Sequence, residues 1–486
     1  MKRSISFVLA MLLLGLASCG GTETPGTDTT GGDTTPADTT AAGYDYSKYD
    51  FGGYEFNVLN FESIWSCYVH LDFAEQTGEM LDDAVFKRNS KVEEALNIKF
   101  NEVEEKYTAF NTGHQAMCDL VIQSVMAGDQ AYDAAYLPVA FKPGTITEGY
   151  LLDLYDVPGL QLDKPWWDIE LNKSMELNGH LYTASSPLNL FSMDMADVLL
   201  FNKQLFTDNK VTFPYEAVNG GTWTIDAMNK MISQIANLNG DENFNVKADG
   251  KAVYGIAGHN DFPIAFMLSA GNRLLTAEKD GSFTINIESE RWINSMEKLS
   301  KLFDGTSGNA FFRNSAGEDN YEKMFARDRA AFITCEMKTV TVLRSTMDTA
   351  FGLIPMPKYD EEQENYWTAV SYNTSFLTVP KIQSDAERTG VILDALSYES
   401  MQSTLPVYND ISLTQKGLRD EESADMLALI NEYRAVEFPQ LFGITNAYVT
   451  AANNEIKKTD PAGASLAATH LPAIKANIEK VLGELE

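Results

Sequence analysis

Four cysteines, five histidines and a large excess of carboxylates define the chemistry this chain can attempt. The histidines stand at 70, 114, 180, 259 and 470, with no pair at metal-ligand spacing. No HExxH, GxSxG, P-loop or GxGxxG occurs, so zinc-protease, serine-hydrolase and nucleotide chemistry lack their usual residues. Cys19, Cys67, Cys118 and Cys335 form no CxxC pair. Cys118 falls in an apolar helical pattern and Cys335 closes an apolar run, so both read as small buried hydrophobes. Paired carboxylates hydrolyse glycosides, and the 69 acidic residues supply many candidates. Linear spacing does not reveal the separation that reaction needs. A surface glycosidase therefore stands as a rival to a binding protein with no catalytic residue, metal or cofactor, and a surface adhesin is a third possibility.

Cys19 has a separate chemistry. Lys2 and Arg3 precede an apolar run from Phe7 to Leu16, and Leu16-Ala17-Ser18-Cys19 closes it with small residues. The pattern resembles the bacterial lipoprotein signal. It implies a signal peptide over 1–18 and a lipid on the Cys19 thiol, hence export and anchoring on the outer face of the cytoplasmic membrane. The apolar run is shorter than the roughly 20 residues a bilayer span needs, and no later segment has that length. Membrane contact is thus expected through the lipid anchor only. Residues 19–43 continue as Gly, Thr, Asp, Pro and Ala with no large apolar side chain, a composition that predicts a disordered tether. Three cysteines remain after Cys19, an odd number that excludes a fully paired disulfide framework. The net charge of −32 argues against nucleic-acid binding, which needs a basic footprint.

The body from Tyr44 to Glu486 exceeds the roughly 250–300 residues one core supports, so two domains are expected. Its local patterns alternate. Tyr54–Leu59 reads as a strand, Thr77–Leu96 as a helix stopped by Asn97, and Ile98–Val103 as a strand. Gln115–Ala127 is helical up to Gly128-Asp129, and Tyr132–Leu137 is a short buried strand. Thr224 can cap a helix carrying Ile225, Met228, Ile232 and Ile235 inward. Glu288–Phe303 is a further helix, and Phe351–Ile354 is a strand stopped by Pro355 and Pro357. Strand and helix in alternation mean an α/β fold with largely parallel sheets. The chain becomes helix-rich after about Leu413.

Several stretches are similar, in order and spacing, to family 1 extracellular solute-binding proteins, the maltose-binding-like receptors of ABC importers. They are "GEMLDDAVFKRNSKVEEALNIKF", "YDAAYLP" with "GYLLDLYD", and "NGHLYTASSPLNLFSMDMADVLLFNKQLF". "GTWTIDAMNKM", "MFARDRAAFIT", "FGLIPMPKYDEEQENYW" and "LTVPKIQSDAERTGVILDALSYES" continue the likeness, which covers most of residues 50–400. The family's glycine in "G-x-A-A-M" is Asp328 or Arg329 here, a departure in one motif. The resemblance implies a two-lobed, periplasmic-binding-protein-like type II fold with an interlobe ligand cleft. The first lobe would span 44–187 and 371–412, the second 188–370. A helix-rich part, 413–486, would lie mainly in the second. It also implies a monomer that captures a small solute, a mono- or oligosaccharide, for an ABC transporter permease.

A sugar site needs aromatic faces for the ring and polar groups for the hydroxyls. Strand ends facing the cleft should supply both. Asn60, Glu62 and Trp65 follow the first strand, at the family's first binding loop. Tyr136 ends a strand near the family's stacking aromatic, and Asp194 sits at the crossover. Glu336 and Lys338 follow the run Phe332–Thr334, Asp261 follows Gly258-His259-Asn260, and Trp367 and Tyr372 flank the second crossover. Trp223 and the Trp166-Trp167 pair read as packing residues.

Overall fold

The computed structural model describes residues 44–485 except 63–64, 66, 107–108, 246, 248, 279–280, 305–307, 313–319 and 414–420. The signal peptide, Cys19 and the tether expected over 1–43 lie outside the described residues.

The first lobe is built on a four-stranded sheet. Tyr54–Phe61 lies centrally between Ile98–Glu105 and Ala134–Leu137, parallel to both, and Phe376–Thr378 pairs antiparallel with Ala134–Leu137 at the edge. The helix Met80–Leu96 buries Leu81, Val85, Val92 and Leu96, one face at helical spacing. It stops where Asn97 adopts φ 51°, a left-handed cap whose N–H returns to the Glu93 carbonyl. The next helix, Phe110–Ala127, ends the same way at Gly128, φ 69°.

The second lobe carries a five-stranded sheet in the order Phe351–Ile354, Asp197–Asn202, Ala330–Glu336, Tyr254–Gly258 and Ala310–Phe312. Its helix Ile225–Ile235 begins as the sequence predicts: the Thr224 hydroxyl accepts from the Ala227 N–H at 3.2 Å. Ile225, Met228, Ile232 and Ile235 are fully buried on one face, each contributing about 1.5–3 kcal/mol. Trp223 is buried at the helix entrance and donates to the Pro355 carbonyl. In the first lobe, Trp166 and Trp167 both donate to Asp394.

The sheets are mixed rather than largely parallel. Asp197–Asn202 runs antiparallel to both its neighbours, as Phe376–Thr378 does to its own. The reason is entry direction. Each of these strands follows a passage between lobes, so the chain enters its sheet from the end where the parallel strands finish.

Three segments meet at the crossing. Ala196 bridges Val370, and Thr368–Ala369 pairs with Arg434–Ala435. Arg434 then anchors the junction to the first lobe through Asp168 at 2.6 Å and Ser192 at 3.2 Å. The buried core runs unbroken from the first sheet through this junction to one face of the second, and a separate cluster covers that sheet's other face. The C-terminal helices touch both lobes. Thr404–Leu413 packs on Met80–Leu96, Glu421–Glu432 on Phe351–Ile354, and Gly463–Leu485 on both Glu290–Leu302 and Gly144–Thr147. Among the described residues, no helix is long and apolar enough to cross a membrane.

Candidate ligand-binding site

A cavity of about 410 Å³ lies at the carboxyl ends of the parallel strands Tyr254–Gly258 and Ala330–Glu336. That is where open α/β sheets present ligands, and the size lies within the usual range for small-molecule pockets. Four kinds of element wall it. The second sheet supplies Asp197, Glu336 and the loop His259–Phe262, the second-lobe helices supply Met267, Leu268 and Trp292, the crossing segment supplies Ala369–Asn373, and the C-terminal part supplies Glu437 and Asn453.

Asp197 and Glu336 face each other across the antiparallel register. Glu336 has a cation at hand, Lys338 Nζ at 3.6 Å. Among the described residues, the Asp197 carboxylate has neither a hydrogen-bond donor nor an ion-pair partner, although the residue is only 7% exposed. Burial, with the adjacent Glu336 charge, holds its pKa well above the ordinary carboxylate range, and Lys338 opposes this only in part. Glu437 is pushed up to about 7 by burial, against the pull of Arg273 at 4.0 Å and the Leu274 N–H at 3.1 Å. Burial lowers the His259 pKa despite the nearby Asp261 and Glu336 charges. Asn453 braces the wall, accepting from the Ile264 N–H at 3.1 Å and donating to the Asn260 carbonyl at 2.6 Å. Phe262, Tyr372, Trp292 and the His259 ring add flat apolar faces.

Of the residues picked from sequence, Asp261, Glu336 and Tyr372 line this cavity. Lys338 stands behind it, between Glu336 and the Trp65 ring 5.4 Å from its ammonium. Trp65 reaches that lysine from the first lobe, packed on Phe110, His114 and Phe191. The other five are placed elsewhere. Asn60 is buried, donating to the Val69 carbonyl and to Glu102, and so fixes the loop after the first strand. Glu62 is exposed and pairs with Lys106 at 3.2 Å. Tyr136 is in the first-lobe core, 2% exposed. Asp194 accepts from the Tyr68 N–H at 2.7 Å and the Tyr408 hydroxyl at 2.8 Å, tying three segments together. Trp367 is covered by the Arg273 guanidinium, 4.5 Å from its ring centre.

Sequence reasoning passed over Asp197, His259, Glu437 and Asn453. Asp197 and His259 had a usable signal, since each begins or directly follows a strand at the cleft end. Glu437 and Asn453 come from the C-terminal segment, where the pattern shows only helix.

No family model and no curated protein matches the sequence. Solved structures match in fold. A cyclo/maltodextrin-binding protein complexed with maltotetraose has a TM-score of 0.56 at 14% identity, covering 87% of this chain and 97% of its own. The galacto-N-biose/lacto-N-biose I-binding protein of an ABC transporter from Bifidobacterium longum has a TM-score of 0.55 at 11% identity, covering 89% and 98%. UgpB from Mycobacterium tuberculosis, in complex with glycerophosphocholine, has a TM-score of 0.52 at 12% identity, covering 89% and 98%. The fold is that of the type II periplasmic-binding-protein-like receptors: two α/β lobes, crossing segments between them, and helix-rich C-terminal packing.

Proposed function

We propose that the chain is an exported, lipid-anchored receptor that captures a small solute, a carbohydrate, and delivers it to an ABC importer without transforming it. The observation that carries the reading is the cavity at the sheet's carboxyl end. Carboxylate and amide groups there can accept and donate hydrogen bonds to hydroxyls, and Phe262 and Tyr372 offer faces for a sugar ring. Two of the similar structures are binding proteins in complex with maltotetraose and with lacto-N-biose, which supports the solute class. Capture would shift the protein toward a state that encloses the solute, since a ligand stabilises selectively the state in which it makes more contacts. Cys19 would hold the receptor at the membrane, and residues 20–43 would give the body reach.

A thermal-shift screen tests the reading. Mono- and oligosaccharides are screened beside glycerophosphodiesters and polyamines. A solute at 100 times its Kd raises stability by about 2.7 kcal/mol. A shift with a sugar, abolished by Tyr372→Ala, is the expected result. Shifts confined to non-sugars would discard the carbohydrate, and turnover of chromogenic glycosides would replace the receptor with a hydrolase.

A further inference from the structure

We propose that the solute carries a protonated amine seated between Asp197 and Glu336, so that the preferred carbohydrates are amino sugars. The inference rests on the carbohydrate reading above and narrows it. Its basis is an imbalance of partners. Asp197 is 93% buried, lines the cavity, and has no donor or ion-pair partner among the described residues. Its register neighbour Glu336 is already served by Lys338, which is shared with the Trp65 ring. Asp261 and Glu437 add two further carboxylates to the same wall, the first near Lys457 and the second 4.0 Å from Arg273, which leaves Asp197 as the carboxyl without a cation of its own.

A buried carboxyl without a partner is costly to ionise, and a cationic occupant of the cavity is the natural source of the charge that would let it ionise. A neutral hydroxyl supplies a single hydrogen bond and no charge. An ammonium supplies three N–H donors and the missing positive charge, enough to bridge two carboxylates on neighbouring strands. The rest of the wall agrees. Burial disfavours the His259 cation, and the Phe262 and Tyr372 rings belong to the aromatic class that attracts cations.

Calorimetric titration of the mature chain at pH 7 tests this with matched probes. They are glucosamine, N-acetylglucosamine and glucose; the corresponding β-1,4 disaccharides; and putrescine. The expected result is that an amine-bearing sugar binds at least tenfold tighter than its hydroxyl and N-acetyl counterparts. Asp197→Asn should remove most of that preference, and Glu336→Gln should weaken it independently should the first variant fail to fold. Equal or tighter binding of the neutral counterparts overturns the amine and leaves the carbohydrate reading in place. Binding of putrescine with no sugar leaves the amine and overturns the carbohydrate. No binding by any probe overturns both.

Discussion

Asp194 and Asp197 sit on the same crossing segment, both more than nine-tenths buried, yet their surroundings are opposite. Asp194 is saturated: the Tyr68 N–H and the Tyr408 hydroxyl donate to its two oxygens, and Tyr408 brings in a helix from more than two hundred residues further on. Asp197 has no such donors among the described residues and opens onto a cavity. A fold stabilises buried charge by surrounding it with donors, and it does so at one of these positions only. The first aspartate is therefore structural glue at the lobe junction. The second is left for something that arrives from outside.

The largest effect is expected from removing the saturated group. Asp194→Ala leaves the buried Tyr408 hydroxyl and the Tyr68 N–H unpaired and detaches the helix Thr404–Leu413 from the loop after the first strand. Unfolding in denaturant should show a loss of about 2–4 kcal/mol. The apo form of Asp197→Asn should behave in the opposite way, because an amide is cheaper to bury than an unpaired carboxylate. A gain of about 1 kcal/mol, or no change, is expected there. A comparable loss in both variants would erase the distinction between them.

A smaller, pH-dependent effect follows from the same imbalance. Asp194 is raised to about 6 and Glu437 to about 7, chiefly by burial. A carboxyl raised in the folded state binds its proton more tightly there than in the unfolded chain. Its contribution to stability is complete below the unfolded value near 4 and is lost as pH climbs through the folded one. The difference in melting temperature between the apo protein and Glu437→Gln should therefore shift against the wild type as pH rises from about 4 to 7, then level off. Saturating solute should reduce that slope if the cavity carboxylates are its partners.

Much of the scaffold was legible because local rules and tertiary demands agree in it. The stop at Asn97, the Thr224 cap and the inward stripe beginning at Ile225 all appear where the pattern places them. The strand Tyr54–Phe61 extends two residues beyond the predicted Tyr54–Leu59. Sheet direction was less legible, since nothing local in "MADVLLFN" records that the chain enters from the cleft. The site divides along the same line. Glu336, Asp261 and Tyr372 follow strands or flank the crossover, where the resemblance could place them. Glu437 and Asn453 reach the cavity only through packing of helices distant in sequence. The opposite fates of Asp194 and Asp197 were invisible, because Tyr408, which decides between them, is supplied by another part of the chain.

The smallest expected effect comes from a third carboxylate, Glu62, which completes the series as an exposed and paired case. It lies 3.2 Å from Lys106, with both side chains more than half exposed. Water screens such a pair and two flexible side chains must be ordered to form it, so its net worth is slight. Glu62→Gln should change stability by less than about 0.5 kcal/mol and leave solute affinity unaltered in the same titrations that use Asp197→Asn. A clear loss of affinity in Glu62→Gln would move the contact surface out of the cavity and onto the end of the first strand near Asn60 and Trp65. The solute would then be gripped from the first lobe, and the unpartnered state of Asp197 would need another explanation.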